Sequence, residues 1–448
     1  MKNLLHSFSV LAVYCVSCFS SAMPTETSHE DKAQTLFKDY LSAYEQLEIP
    51  GLNYAYLDNL KALGTVEDLD RQLSVLNEYK SKLAGVDKAR LSLCSRLELS
   101  RASSDVELGT QRALLGLQYL KGRVGEPSDK GLYSVYQGRD WYTYFLKAYL
   151  GSDISPEELY QFGQKQLAAA IGRYRAVQKE MGFAGDLEGF LKHLSTTPEF
   201  ASSNHTEILA SYKNKQQIVR GNIAKHFYVN EPMPLVAIHK SDKGMAFPAP
   251  GWASEEGFFY NVFAEQYDLR QMDWLFLHEA TPGHIFQRHI AQRQNHCNSV
   301  LSDRSPSAYT EGWAAYVETL GEDLGLYQTP QEKLGGIEWD MIRSARVVLD
   351  VAINYYGWSN EKALQYWQEN VIGQDAVAMR EINRMRNWPA QVITYKYGAA
   401  TFLRMKQQYL ENKSDAGSVR DYHDLAIAYG PMPLSSFEAL VNDAKNWK

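Results

Sequence analysis

The chain has 448 residues, of which 45% are hydrophobic and 22% are charged, and its formal net charge is −7 at pH 7. These proportions are those of a soluble globular protein, and they exclude a chain that is disordered over most of its length. The acidic balance and the lack of a Lys- or Arg-rich run argue against nucleic acid as a partner.

The first residues have the layout of a secretory signal. Lys2 is followed by an apolar stretch from Leu4 to Phe19 and then by small residues. The apolar stretch is too short, and too often interrupted by Ser and Cys, to span a bilayer in the final protein. We therefore predict a signal peptide at residues 1–22 and an exported, periplasmic protein.

Cys18 offers a second way to process this N-terminus. It is preceded by Val16 and Ser17, and lipoprotein processing there would anchor the protein to a membrane. Cys15, however, stands where a lipobox normally has Leu. Cleavage after Ala22 and lipidation of Cys18 therefore both stay open on the sequence.

After processing, only Cys94 and Cys297 remain. Two thiols in an oxidising compartment can form a disulfide, but their separation along the chain does not determine their distance in space. A disulfide and two buried free thiols are the two alternatives.

The mature chain begins with a helical pattern. Between about residues 33 and 120, LFKDYLSAYEQL, LDRQLSVLNEYKSKL and ARLSLCSRLELSRA place apolar residues three and four positions apart. Gly and Pro in GRVGEPSDKG indicate a connection. The helical pattern resumes in RDWYTYFLKAYLG, and Ser155-Pro156-Glu157-Glu158 is typical of the start of a further helix.

The segment from Pro234 to Phe263 has a different pattern. PLVAIHK, MAFPAP and GFFYNVF are short aromatic or β-branched runs broken by Gly and Pro, and they predict a small sheet. Helical patterns follow to the end of the chain, among them LRQMDWLFLHEA and SAYTEGWAAYVETLGEDLG. This order predicts a mainly α fold with a small β-sheet beside a central helix.

One segment, WLFLHEATPGH, combines residues that can bind a metal ion. Imidazole and carboxylate are zinc ligands, and a Glu beside the first His can accept a proton from the attacking water. In the common HExxH helix the two His are four residues apart, about 40° around the axis. His278 and His284 are six residues apart, which is about 240° around an unbroken helix. Pro282 and Gly283 can break the helix and return His284 to His278, although a buried His278 and a surface His284 fit the motif equally well.

SAYTEGWAAYVETL supplies a third candidate ligand. Glu311 follows His284 by 27 positions, a spacing that suits the next helix. The dipole of that helix also favours a carboxylate at its start, so Glu311 has a purely structural alternative. Glu318 lies two turns further along the same face. We expect Glu318 on the solvated surface, with a position behind the metal ligands as the alternative.

HEATPGH followed by EGWAAYVE resembles the bacterial domain-of-unknown-function 885 family, whose members are viewed as relatives of the gluzincin metallopeptidases. ISPEELYQFGQKQL, GFFYNV, RVVLDVAINYYGWS and NWPAQVITYKYGAATFLR resemble further motifs of this family, so the similarity covers about residues 130–440. The resemblance implies a helical gluzincin-like metallopeptidase fold. It also implies that His278, His284 and Glu311 are zinc ligands and that Glu279 is the general base.

Two further residues are interpreted from the later motifs of the family. Tyr395, within PAQVITYKYG, is the first candidate for a hydrogen-bond donor to the oxyanion, ahead of Arg346, Lys396 and Tyr397. Because the chain has 29 Tyr residues, core packing is the alternative for any one of them. Asn354 stands where the family usually has His, which implies altered specificity or reduced activity if that His contacts the substrate.

The sequence thus predicts a single catalytic domain at residues 23–448. Its helical N-terminal lobe is expected at about 33–230 and its metal-site lobe at about 231–448. The predicted reaction is zinc-dependent hydrolysis of a peptide or related amide bond, with Glu279 and Tyr395 as catalytic residues.

Peptides are the predicted substrates. We expect the strand at Phe258–Asn261 to hold an extended peptide through main-chain hydrogen bonds. The alternative is an exported binding or scaffold lipoprotein that retains the fold without catalysis. A serine hydrolase is disfavoured, since the sequence has no GxSxG motif.

Overall fold

The computed structural model describes residues 28–444, except for 230–232, 234, 244–248, 264, 294–296, 298 and 412–417. Most of this part of the chain is α-helical, which confirms the predicted mainly α class. No helix in it is both long enough and apolar enough to cross a bilayer. The predicted signal peptide and Cys18 lie outside the described residues.

Helices follow one another on both sides of a short region of strands. In chain order they are α1 (His29–Glu45), α2 (Tyr56–Lys61), α3 (Val66–Ala84), α4 (Leu93–Gly122), α5 (Gly138–Leu150), α6 (Pro156–Glu180), α7 (Leu187–Thr196), α8 (His205–Asn222), α9 (Met272–Glu279), α10 (His284–Arg293), α11 (Ala308–Val317), α12 (Pro330–Asn354), α13 (Asn360–Asn370), α14 (Ala378–Asn387), α15 (Ile393–Glu411), α16 (Val419–Ile427) and α17 (Leu434–Ala444). Local signals set some of these boundaries: Ser155 and Glu158 form a reciprocal capping box at the start of α6, with Pro156 in its first turn, as predicted.

The strands form two small sheets. β1 (Ala201–Ser202) pairs antiparallel with β5 (Tyr267–Asp268). The second sheet has the order β2-β4-β3, in which β2 (Ile238–Lys240) is parallel and β3 (Gly251–Ser254) antiparallel to β4 (Gly257–Tyr260). This three-stranded sheet lies in the segment where a sheet was predicted.

The position of β4 corrects one prediction. The expectation that Phe258–Asn261 pairs with an extended peptide is wrong, because β4 is the central strand and is hydrogen-bonded to β2 on one side and to β3 on the other. Only a strand at the edge of a sheet has a row of backbone groups available for another chain.

The three-stranded sheet packs beside α9, as predicted. Phe258 of β4 meets Phe276 of α9 with ring centroids 6.5 Å apart, and Gly251 of β3 lies against Leu275. All 8 residues of α9 are buried. A helix that is buried on every side places its polar side chains, His278 among them, in the interior of the protein.

Helices α11 and α15 approach each other closely at a pair of glycines. A Cβ atom on Gly312 would lie 2.5 Å from Cα of Gly398, and one on Gly398 would lie 2.3 Å from the carbonyl oxygen of Ala308. Only glycine permits so close an approach. This contact sets the position of Glu311, the neighbour of Gly312, relative to Tyr395 on α15.

Helices from the two predicted lobes share one hydrophobic core. Leu167 and Tyr174 of α6 lie in the same buried cluster as Met341 and Val347 of α12. The division of the chain into lobes at residues 230 and 231 stays a prediction.

Cys94 and Cys297 form a disulfide, with Cα atoms 5.0 Å apart and a separation of 203 residues along the chain. The bond joins the start of α4 to the segment after α10. The structure therefore has a disulfide at these two positions, and the alternative of two buried free thiols is wrong. Such a bond suits an oxidising compartment, in agreement with the predicted export.

Candidate metal centre

The helix that carries His278 ends before the chain reaches His284. α9 ends at Glu279 and α10 begins at His284. The connecting turn contains a cis peptide bond between Thr281 and Pro282. The predicted break is therefore present, and it removes the 240° separation that an unbroken helix would impose.

Two contacts hold this turn in place. A Cβ atom on Gly283 would lie 1.8 Å from the carbonyl oxygen of His278, so the turn requires glycine. The indole Nε1 of the buried Trp313, on α11, donates a hydrogen bond of 3.0 Å to the carbonyl of Pro282. The turn is thus fixed both by its own backbone and by the helix that carries Glu311.

The three candidate ligands meet at one point. Nε2 of His278 lies 3.6 Å and Nε2 of His284 lies 3.4 Å from Oε2 of Glu311. The ligand atoms all lie within 4.8 Å of one another, and among the described residues no other group of three His, Cys, Asp or Glu converges in this way. Their role as zinc ligands stays a prediction.

The chemistry of this cluster fits a cation. Oε2 of Glu311 is buried and accepts no hydrogen bond within the described chain, although two imidazole nitrogens face it. Burial raises the pKa of Glu311, but interactions with His278 and His284 outweigh it, so the net shift is downward. Burial lowers the pKa of His278, but interactions with Glu311 and Glu318 outweigh it and raise the pKa to about 9. Both shifts favour a positive charge beside the carboxylate of Glu311, and two His with one Glu are a known zinc set.

A buried ion pair behind the cluster orients His278. Oε1 of Glu318 accepts a hydrogen bond of 2.7 Å from Nδ1 of His278, and both of its oxygens accept one of 2.7 Å from Arg343. A carboxylate only accepts hydrogen bonds, so Nδ1 of His278 carries the proton. Nε2 faces Glu311, and a bound metal ion would take the place of its proton and receive its lone pair.

The expectation that Glu318 lies on the solvated surface is wrong. Glu318 is only 7% exposed, and its partner Arg343 is only 4% exposed. The charge of Arg343 is what allows the carboxylate to be buried. Because Arg343 lies on α12, 25 residues further along the chain, no local pattern around Glu318 indicates this partner.

Glu279 and Tyr395 lie beside the cluster. Glu279 is buried and lines the same cavity as the candidate ligands. Burial raises the pKa of Glu279, while the charges of His278 and His284 oppose that shift. The ring of Tyr395 stacks on that of His278 with centroids 6.0 Å apart and also lines the cavity. The structure thus brings both predicted catalytic residues to the site.

The cluster opens into a cavity of about 780 Å³. Ligand sites have volumes of roughly 300–1,000 Å³, so the cavity can hold a small molecule or a short peptide. The rings of Tyr54 and Trp388 are 4.5 Å apart, and Tyr54 is 76% exposed, which places this pair at the mouth. Trp252 of the edge strand β3, Trp274 of α9 and Trp339 of α12 also line the cavity.

Of the other three candidates for a hydrogen-bond donor to the oxyanion, only one lines the cavity. Arg346 lines the cavity. Lys396 and Tyr397 do not line it: Lys396 donates a hydrogen bond of 2.5 Å to Asp340, and Tyr397 shares one of 3.1 Å with the hydroxyl of Ser152. Of the four candidates, Tyr395 and Arg346 therefore reach the site.

Asn354 is fully buried and does not line the cavity. Its side-chain amide donates to the carbonyls of Asp350 and Met385, at 3.2 and 2.9 Å, and its Oδ1 accepts from the backbone of Leu132 at 3.3 Å. These bonds tie the end of α12 to α14 and to the turn before α5. Contact between Asn354 and a substrate in this cavity is therefore not supported.

A family model described as "Bacterial protein of unknown function (DUF885)" matches residues 39–441. The chain belongs to the DUF885 family. This confirms the resemblance seen in HEATPGH and EGWAAYVE and extends it to the helices before residue 130. No curated protein matches the sequence of this DUF885 protein.

Two solved structures are similar to this DUF885 protein. One is described as a "putative lipoprotein" from Colwellia psychrerythraea; it aligns with a TM-score of 0.65 and 20% identity, over 94% of this chain and 74% of that chain. The other is described as a "putative lipoprotein of unknown function" from Shewanella oneidensis; it aligns with a TM-score of 0.59 and 16% identity, over 92% of this chain and 77% of that chain. At these identities the likeness shows a common fold.

Proposed function

We propose that this DUF885 protein is a zinc-dependent hydrolase of peptide or related amide bonds with a gluzincin-like fold. The observation that supports this most strongly is the convergence of His278, His284 and Glu311, whose ligand atoms lie within 4.8 Å of one another. These three residues would hold the zinc ion. A carboxylate behind a ligating imidazole, as Glu318 is behind His278, makes that imidazole a better ligand.

A bound zinc ion would polarise the scissile carbonyl and lower the pKa of a water molecule beside it. In our proposal, Glu279 accepts a proton from the attacking water and later delivers it to the leaving nitrogen. Burial raises the pKa of Glu279. A raised pKa favours the protonated carboxyl group, which is the form that delivers the proton to the leaving nitrogen. The hydroxyl of Tyr395 donates a hydrogen bond to the oxyanion, a role supported by the stacking of its ring on His278.

The test is to measure zinc content and turnover in parallel. The purified protein should contain zinc and cleave members of a peptide library. Glu279→Gln keeps the size of the side chain but removes the proton acceptor, so zinc should stay bound while hydrolysis falls by at least roughly a hundredfold. His284→Ala should lose zinc and activity together, because two ligands hold zinc poorly. A Glu279→Gln variant as active as the parent would show that Glu279 is not the base.

A second candidate is an exported binding or scaffold lipoprotein that retains the fold without catalysis. The structures from Colwellia psychrerythraea and Shewanella oneidensis favour it, since each is described as a "putative lipoprotein" and neither description names an activity. The family description names none either. In this case the zinc-loaded parent would bind peptides and cleave none.

Mass spectrometry of the native protein tests its processing. A lipid-modified Cys18 would support a membrane anchor, and an N-terminus at Met23 would support release into the periplasm after cleavage. An intact Met1 on the mature protein would contradict export.

A further inference from the structure

One wall of the cavity is basic. α14 presents Arg380, Arg384 and Asn387 to the cavity, and their spacing of four and then three residues places them on one face of the helix. Arg346 of α12 and Glu381 of α14 complete this wall. None of these residues is a candidate metal ligand.

The wall has three guanidinium groups and one carboxylate, and only two of the guanidinium groups contact that carboxylate. Glu381 accepts a hydrogen bond of 2.9 Å from Nε of Arg346 and one of 3.1 Å from Arg380. Arg384 instead donates to the neutral side-chain oxygen of Gln391, at 2.8 Å, and it forms no ion pair with a carboxylate in the described part of the chain. Two of the three positive charges therefore have no counter-charge from the wall.

Burial and the neighbouring charge of Arg384 both disfavour the charge of Arg346. Arg346 is only 3% exposed. Burial and the charge of Arg384 lower the pKa of Arg346 to about 10, although the charge of Glu381 acts to raise it. A guanidinium group whose charge is disfavoured by a like charge is stabilised when an anion binds beside it.

The wall lies close to the candidate metal centre. The ring of Tyr395 lies 6.0 Å from the ring of His278, and it also lies 6.0 Å from the guanidinium carbon of Arg346. One extended residue spans roughly 3.3–3.6 Å, so an anion held by Arg346 lies within about three residues of a bond that is cleaved at the centre.

We propose that Arg346 and Arg384 form a subsite for a carboxylate of the substrate, close to the scissile bond. This inference rests on the proposed function and specifies its substrates as peptides with a nearby negative charge. Arg suits this task because its guanidinium group has five N–H donors, so Arg346 can keep its contacts with Glu381, and Arg384 its bond to Gln391, while other N–H groups bind the carboxylate. The carboxylate is either the C-terminus of a short peptide or an acidic side chain.

Calorimetric binding of three peptides tests the subsite without turnover. The protein is the Glu279→Gln variant, and the peptides are Ala-Ala-Ala, its C-terminal amide, and Ala-Ala-Glu with a C-terminal amide. Ala-Ala-Ala should bind roughly ten- to hundredfold more tightly than its amide, the usual effect of a charge-assisted hydrogen bond. Tight binding of Ala-Ala-Glu amide alone would identify an acidic side chain as the source of the carboxylate.

Variants of Arg384 complete the test. Arg384→Gln, made in the Glu279→Gln protein, should abolish the preference for a carboxylate, and Arg384→Lys should keep part of it. Arg404→Gln is the matched control, because Arg404 pairs with Glu438 outside the cavity and should not affect the preference.

Two results would overturn the subsite. One is equal affinity for all three peptides, including no measurable binding of any of them. The other is a preference that survives Arg384→Gln. Failure of the proposed function gives a different result, in which the parent cleaves no peptide while the preference for a carboxylate persists.

Discussion

Replacing Glu318 tests whether the buried ion pair holds the candidate metal centre together. Glu318 accepts a hydrogen bond of 2.7 Å from His278 and pairs with Arg343 at 2.7 Å. Glu318→Ala removes both interactions and leaves the guanidinium group buried without its counter-charge. Breaking a buried ion pair from one side lowers the free energy of unfolding by about 3–5 kcal/mol. Losing the carboxylate behind a ligating His should weaken zinc binding by about 10- to 100-fold.

Two further variants separate the two effects. Glu318→Gln keeps an oxygen that can accept the hydrogen bond from His278 but leaves Arg343 without a carboxylate. It should therefore retain more of the zinc affinity than Glu318→Ala while still losing stability. Glu318→Gln combined with Arg343→Met removes both charges and should regain a large part of the lost stability, since no uncompensated charge stays buried.

Denaturant unfolding of the metal-free protein measures the stability of each variant, and competition with a chelator of known affinity measures zinc binding. If Glu318→Ala unfolds at the same denaturant concentration as the parent and binds zinc equally well, the buried pair does not support the site. If the double variant is less stable than Glu318→Gln alone, the argument from uncompensated charge is wrong.

Glu311→Ala should cut the zinc content sharply, because it removes one of three candidate ligands. If metal analysis finds full zinc content in this variant, Glu311 is not a zinc ligand. Gly283→Ala should lower both zinc content and melting temperature, since its Cβ would lie 1.8 Å from the carbonyl oxygen of His278. Its control is Gly172→Ala on α6, where a Cβ would meet nothing within 4 Å and stability should hold or rise. Cys94→Ser should lower the free energy of unfolding by about 2–5 kcal/mol, because it opens a cross-link between distant residues. Denaturation curves of this variant and of the oxidised and reduced parent would check that shift.

The sequence by itself determined the features that depend on near neighbours along the chain. Apolar residues three and four positions apart predicted the helices, and Ser155 with Glu158 predicted the start of α6. The HEATPGH segment predicted a broken helix, because His278 and His284 can meet only if the chain turns between them. Each of these inferences needs only the geometry of a few consecutive residues.

The tertiary structure decided what depends on partners far away in the sequence. The burial of Glu318 follows from Arg343, and the pairing of Cys94 with Cys297 follows from the contact of α4 with the segment after α10. The central place of β4, which excludes peptide pairing there, follows from the order in which the strands assemble. The basic wall of the cavity likewise requires α12 and α14 to lie side by side. Whether a charge is buried, and with which partner, is set by the elements that surround it, and no local pattern carries that information.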